Sequence, residues 1–176
     1  TAIMLVPEIA LTPQMLKQLR ARFGDSAAIL HSGLSAGERF DEWWRLRNGE
    51  AVIAIGARSA IFAPIENVGL IIIDEEHESS FKQTEPAPRY HARSVALMMS
   101  RMAGAKTLLG TATPSLESYN NAMLGKYGYV ALTTRFGNVC LPEIEVVDIA
   151  ELKRKKLMNG PFSPLLLREV RGALER

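Results

Sequence analysis

Six residues, Val68-Gly69-Leu70-Ile71-Ile72-Ile73, run apolar or small without alternation and end abruptly in Asp74-Glu75-Glu76-His77. Such a run suits a strand buried on both faces, as in a parallel sheet. Four polar residues, three of them acidic, then stand where that strand emerges. In open α/β sheets, ligands gather at the carboxyl ends of strands, beside the N-termini of the following helices. An acidic pair there can hold Mg²⁺ through oxygen ligands and orient a water against a phosphate. The layout is that of the second motif of a nucleotide hydrolase. The plain alternative is a solvated acidic turn after a core strand.

Further runs at 2–6, 27–31, 51–55 and 107–110 read as strands, and helical patterns separate them. Thr12-Pro13 reads as an N-cap followed by proline at the first helical position, opening a helix to about residue 23. Ser35-Ala36-Gly37-Glu38 is a capping-box pattern for a second helix to about Asn48, with Gly49 at its C-terminal cap. A third helix is expected over 91–102, and a fourth from Thr113-Pro114 to near Gly125. Strands alternating with helices of this length predict an α/β fold with right-handed crossovers and a mainly parallel sheet. Segments 127–132 and 144–148 are candidate further strands. Residues 153–161 read as a basic linker, and Ser163-Pro164 restarts a helix.

At 176 residues, 47% hydrophobic and 23% charged, the chain has the make-up of one globular domain with a substantial core. Its single cysteine, Cys140, excludes an internal disulfide framework and a Cys-based zinc module within these residues. No apolar run reaches membrane-spanning length and the start lacks a signal-peptide layout, so the expected location is cytoplasmic, with no membrane partner. Residues 150–176 hold seven Lys/Arg against three Asp/Glu, centred on Lys153-Arg154-Lys155-Lys156. That cluster suits either phosphate contact or a solvated linker.

Four other segments could carry chemistry. Val6-Pro7-Glu8-Ile9-Ala10-Leu11-Thr12 is a strand exit whose amides and Thr12 hydroxyl can meet a phosphodiester, or simply a turn. In Gly56-Ala57-Arg58-Ser59, glycine permits close backbone approach, while Arg58 and Ser59 can donate to phosphates; a glycine turn with a surface arginine is the plain alternative. In Gly110-Thr111-Ala112-Thr113-Pro114-Ser115, two hydroxyls can link neighbouring loops, and Thr113 is the favoured helix cap. The loop from Phe81 and Lys82 to Tyr90, His91 and Arg93 interleaves aromatic and basic residues. It suits single-stranded bases, unless its rings only pack inward. His31, His77 and His91 match no compact zinc spacing, so hydrogen bonding or packing is expected of His77 rather than metal ligation.

Taken in order, Leu5-Val6-Pro7-Glu8-Ile9-Ala10-Leu11-Thr12-Pro13-Gln14, His31-Ser32-Gly33-Leu34, Gly56-Ala57-Arg58-Ser59-Ala60-Ile61-Phe62, Asp74-Glu75-Glu76-His77 and Gly110-Thr111-Ala112-Thr113-Pro114 resemble the motifs of superfamily 2 helicases. The resemblance is closest to the bacterial replication-restart (primosomal) DNA helicases. It covers most of residues 3–135, and Tyr90-His91-Ala92-Arg93 resembles part of that family's aromatic-rich loop. It implies a three-layer RecA-like motor lobe of the P-loop NTPase type, truncated at its N-terminal strand, with residues 1–149 as partial lobe 1 and 150–176 as a basic linker towards lobe 2. It also implies an ATP-dependent 3′-to-5′ DNA helicase acting in primosome assembly and restart of stalled forks, with single-stranded and forked DNA and replication-restart proteins as partners. By that resemblance Asp74 would bind Mg²⁺ through ATP and Glu75 would polarise the attacking water, with Glu76 and His77 completing the catalytic motif. Gly110, Thr111, Ala112 and Thr113 would couple hydrolysis to unwinding. Thr12, Arg58, Ser59, Phe81, Lys82, Tyr90, His91 and Arg93 would contact or sense DNA. Zinc would belong to a region of the parent protein outside this chain.

The family's phosphate-cradling G-x-x-x-x-G-K-[ST] would lie before residue 1, and Gly104-Ala105-Lys106-Thr107 is no substitute because it lacks adjacent Gly-Lys. The chain alone is therefore expected to be inactive, with a gap on one side of its core. Two other classes remain: a metal-dependent hydrolase using Asp74 to His77 directly, and a non-catalytic DNA- or protein-binding module.

Overall fold

The computed structural model describes residues 1–134 and 142–175, so Cys140 lies outside the described residues. These form two compact units, Thr1–Tyr129 and Val130–Arg176. The geometric division thus falls earlier in the chain than the charge shift at 150.

The first unit is built on a five-stranded parallel sheet: β1 (Ala2–Leu5), β2 (Ala27–Leu30), β3 (Ile53–Gly56), β4 (Leu70–Ile73) and β5 (Lys106–Leu109), in the order β2-β3-β1-β4-β5. Central β1 pairs Leu5 with Gly56 on one side and with Ile73 on the other. All the strand exits therefore lie along one edge. The linking helices are α1 (Pro13–Phe23), α2 (Ala36–Arg47), α3 (Ala92–Ala103) and α4 (Leu116–Met123).

Local chemistry explains the helix starts. The Thr12 side chain accepts from Met15 N at 3.2 Å, with Pro13 at the first helical position. Ser35 and Glu38 form the reciprocal capping box, with Glu38 N to Ser35 Oγ at 3.3 Å and Ser35 N to Glu38 Oε2 at 2.9 Å. Gly49 follows α2 with φ +75°, in the left-handed region that glycine adopts freely.

Alternate residues along the strands feed two cores. Ile3, Leu5, Ala54, Ile71 and Ile73 join Leu46 of α2 and Ala92 and Ala96 of α3 on one face. Ile29, Ile55 and Met4 join Leu19, Met15 and Leu16 of α1 on the other. Helices on both faces of a parallel sheet make the three-layer α/β architecture.

The sheet departs from expectation at β4, which is not buried on both faces: Leu70 and Ile72 are half-buried. Among the described residues the α1 face packs mainly against β2 and β3, and Leu108 on edge strand β5 is 56% exposed. Segment 127–132 is not a strand, and neither is 144–148. Val130, Leu132, Ile144 and Val146 are all strongly exposed, and an apolar alternation without a ladder partner gains nothing from extended pairing. In the second unit, α5 (Ile149–Arg154), capped by Asp148, occupies the start of the expected basic linker. There α6 (Pro164–Leu174) is capped by Ser163, as its Ser-Pro start predicts. No described helix is long and apolar enough to cross a membrane.

Candidate active site and coupling network

The acidic turn begins as an extension of the sheet. Asp74 N donates to Leu5 O at 2.9 Å, and Asp74 Oδ1 accepts from Glu75 N at 3.1 Å. Glu75 sits at φ +48°, uncommon for a residue with a side chain and found mostly in tight turns. The turn is tied to the β5 exit, because Glu76 N donates to Gly110 O at 3.1 Å and Gly110 N to Ile73 O at 2.8 Å. Asp74 and Glu75 remain partly exposed at the strand edge, and the Glu75 side chain is 44% accessible. These are hard oxygen donors with unfilled capacity, which is the chemistry that Mg²⁺–phosphate requires.

Glu76 points the other way. Its side chain is fully buried, and its carboxylate accepts from Ser115 N at 2.7 Å, Ser115 Oγ at 3.2 Å, Ser118 Oγ at 3.0 Å and the Arg93 guanidinium. Burial pushes its pKa up, but the Ser115 amide, Arg93 and the two hydroxyls outweigh burial and hold it below the usual value of 4.5. Glu76 is therefore ionised and saturated. Its oxygens are taken up by these partners, so the ligand and base roles fall to Asp74 and Glu75, and Glu76 completes the motif by holding the turn to Arg93 and the start of α4. Arg93 is similarly engaged, only 15% exposed and turned to Glu76 rather than outward to a DNA strand. Nothing in the sequence spacing paired Arg93, Ser115 and Ser118 with Glu76.

His77 bridges to the next loop. Its Nδ1 lies 2.8 Å from Thr111 Oγ1 and 3.5 Å from Glu75 Oε2, and its Nε2 lies 3.4 Å from Thr113 Oγ1. Thr111 Oγ1 also accepts from Thr113 N at 3.0 Å. Thr113 is thus not the helix cap. α4 begins two residues later, where Ser115 accepts from Ser118 N, because the Thr113 hydroxyl is turned to the histidine. Gly110 and Ala112 contribute backbone to the same short loop.

The β3 exit has another role than the one its glycine suggested. A Cβ on Gly56 would lie 2.3 Å from Leu30 O and 2.8 Å from Ala60 Cβ, so glycine serves close packing within the fold rather than approach to a ligand. Arg58, in the 3-10 turn Arg58–Phe62, donates through Nη1 to Lys82 O at 2.9 Å and Ser80 O at 3.2 Å, and lies over the Tyr90 ring at 6.0 Å. Phe62 meets Tyr90 edge to face at 5.0 Å. Together they anchor the aromatic loop, which closes as a hairpin through a Lys82–His91 bridge and Gln83 N to Tyr90 O at 2.8 Å.

Phe81 is 1% exposed in the main core, so of the two readings its ring takes the inward-packed one. Tyr90 is half-buried, and Lys82 is exposed. His91 caps α3, its Nδ1 accepting from Arg93 N at 3.3 Å. Burial, then the charges of Arg93 and Lys82, hold its pKa below 6.5, so the ring is neutral and able to accept. Thr12 and Ser59 are exposed at their strand exits, although Thr12 is also engaged in capping. The structure thus gathers Asp74, Glu75, His77, Thr111 and Thr113 at one edge. It joins Arg58, Tyr90 and His91 into the loop anchor, and it moves Glu76, Phe81 and Arg93 inside.

Residues 1–122 match the DEAD/DEAH box helicase family. The chain is 51% identical over 159 residues to the replication restart protein PriA of Bacillus subtilis, covering 90% of this chain and 19% of that protein. It is 44% identical over 174 residues to PriA of Haemophilus influenzae, and 43% identical over 175 residues to PriA of Chlamydia pneumoniae. In both cases the match covers 99% of this chain and 23% of the relative. The chain therefore spans about a fifth of the length of these relatives.

Proposed function

The chain belongs to the DEAD/DEAH box helicase family, and from that premise we propose that it is part of an ATP-dependent DNA helicase that acts in replication restart. The observation that carries this reading is the pair of partly exposed carboxylates, Asp74 and Glu75, at the exit of β4 beside the His77–Thr111–Thr113 bridge. Mg²⁺–ATP is the substrate. Asp74 takes the metal side, and Glu75 polarises the water that attacks the terminal phosphate. His77 connects that end of the site to the loop after β5, so a change at the phosphate alters hydrogen bonds at the neighbouring strand's exit.

The loop is anchored at the β3 exit by Arg58 and Phe62, and Thr12 after β1, Ser59 after β3 and Lys82 of the loop itself are exposed and would be available to a single strand. Its far end continues into α3, whose first turn carries the Arg93–Glu76 pair. A strand contacting the loop is thereby linked to the hydrolysis turn through covalent and hydrogen-bonded neighbours. Similarity to replication restart proteins supports DNA and primosome components as partners in general; a forked substrate and a 3′-to-5′ direction belong to the proposal itself. The pattern G-x-x-x-x-G-K-[ST] does not occur in the 176 residues, since Gly125-Lys126 is followed by Tyr127, so in this reading the chain by itself turns over no ATP.

A metal-dependent hydrolase using all four residues from Asp74 to His77 is disfavoured by the saturated, buried Glu76. The full-length protein should unwind a forked duplex bearing a 3′ single-stranded tail when given ATP and Mg²⁺. Unwinding without nucleotide, or only of 5′-tailed substrates, would contradict the proposal.

A further inference from the structure

The dipeptide Asn-Gly occurs twice in the chain, at Asn48-Gly49 and at Asn159-Gly160. In this dipeptide the glycine nitrogen, unshielded by a side chain, can attack the preceding asparagine Cγ. All four residues are exposed, so access does not separate the two sites. Their hydrogen bonds and their charges do.

Asn48 is the C-terminal cap of α2. Gly49 N donates to Leu46 O at 3.2 Å, and Asn48 Nδ2 donates to Glu50 Oε1 at 3.4 Å. The attacking species is the deprotonated amide nitrogen. Forming it at Gly49 breaks the bond to Leu46 and sets a negative charge at the negative end of the α2 dipole, close to the Glu50 carboxylate. Asn159 instead opens the turn before α6. Its N donates to Phe162 O at 3.0 Å and its O accepts from Phe162 N at 3.2 Å, with Gly160, at φ +59°, and Pro161 between them. Among the described residues, neither Gly160 N nor the Asn159 side chain has a hydrogen-bond partner. Asn159 also lines a pocket of about 500 Å³ with Arg168 and Arg171 of α6, against one carboxylate, Glu175. Arg168 engages Glu169 through Nε at 2.9 Å but its side chain stays 71% exposed. Nearby guanidiniums favour both an amide anion and a carboxylate product.

We propose that Asn159 is a site of covalent modification by deamidation, which turns a neutral amide beside two arginines into a carboxylate. Gly160 N gives up its proton to solvent base and bonds to Asn159 Cγ. The side-chain nitrogen takes up a proton and leaves as ammonia, and a cyclic imide remains. Water then adds to one imide carbonyl and breaks its C–N bond. Opening at the side-chain carbonyl gives aspartate. Opening at the main-chain carbonyl gives isoaspartate, which adds an atom to the backbone inside a turn closed by two hydrogen bonds.

The test incubates the full-length protein that carries this chain in mildly alkaline buffer, with and without urea, and follows both sites by peptide mass spectrometry. In folded protein Asn159 should convert about 5- to 50-fold faster than Asn48, the order set by one hydrogen bond together with one helix-end charge effect. In urea, where neither turn persists, the two rates should draw together. Arg168→Gln with Arg171→Gln should slow conversion of Asn159 in folded protein and leave its rate in urea unchanged. Folded-state rates that are equal, or faster at Asn48, overturn the proposal. So does an Asn159 that stays intact in folded protein and converts only in urea. An unchanged folded-state rate in the double variant overturns the part given to the arginines.

Discussion

Arg93, in the first turn of α3, donates its guanidinium to the buried carboxylate of Glu76, two residues beyond the end-of-strand Asp74. One ion pair therefore ties the aromatic loop's exit to the acidic turn after β4, and the Ser115 and Ser118 hydroxyls complete it from the start of α4. Removing one partner leaves a buried charge uncompensated. Arg93→Ala should destabilise the first unit by about 3–5 kcal/mol in urea unfolding, and Arg93→Lys by less.

The same carboxylate gives an acid limb to stability. Its folded pKa lies below 4.5, so its contribution is complete above that value and is lost as pH falls through the lowered folded pKa. His91 acts with the opposite group type and the same direction of loss. Its folded pKa is also depressed, so protons bind the unfolded chain first, and stability declines as pH falls below 6.5. His91→Asn, which keeps a capping side chain, should flatten the stability profile between pH 6.5 and 4.5 while leaving the steeper fall below 4.5. An unchanged profile would contradict the assignment.

Gly56→Ala should be poorly tolerated. The added methyl meets the Leu30 carbonyl and Ala60 Cβ, backbone and core atoms that cannot swing aside. A loss of at least ~1–3 kcal/mol is expected, read as a lowered unfolding midpoint with an altered β2–β3 register.

Much of this arrangement was legible in the sequence because it depends on local signals. The Thr12-Pro13 and Ser35/Glu38 caps each name their own helix start. The isoleucine run ending in Asp74 gives β4 and its chemical end at once. Long-range pairings were not legible. Glu76 looks like its two acidic neighbours until the fold brings Arg93, Ser115 and Ser118 to it, and Phe81 looks like a loop aromatic until the fold places it in the main core cluster. Thr113-Pro114 imitates a cap that Ser115 in fact provides, because only the folded chain offers the Thr113 hydroxyl a histidine. Segments 127–132 and 144–148 have the composition of strands but no ladder to join.

His77 tests coupling rather than chemistry. His77→Ala removes the contacts to Thr111 and Thr113 without touching Asp74. The ratio of DNA-stimulated to basal ATP turnover in the full-length protein should fall about 2- to 30-fold, the range for loss of ~0.5–2 kcal/mol of coupling. A ratio that does not change would mean that the bridge serves only packing.

The central claim is that Glu75 activates water at a nucleotide site served by DNA. The most direct measurement is the steady-state ATP hydrolysis rate of the full-length protein with saturating single-stranded DNA, for unaltered protein and Glu75→Gln. The substitution keeps size and backbone while removing the base, so turnover should fall by about 10²–10⁴-fold with DNA binding retained. Turnover within a few-fold of the unaltered protein would contradict the account.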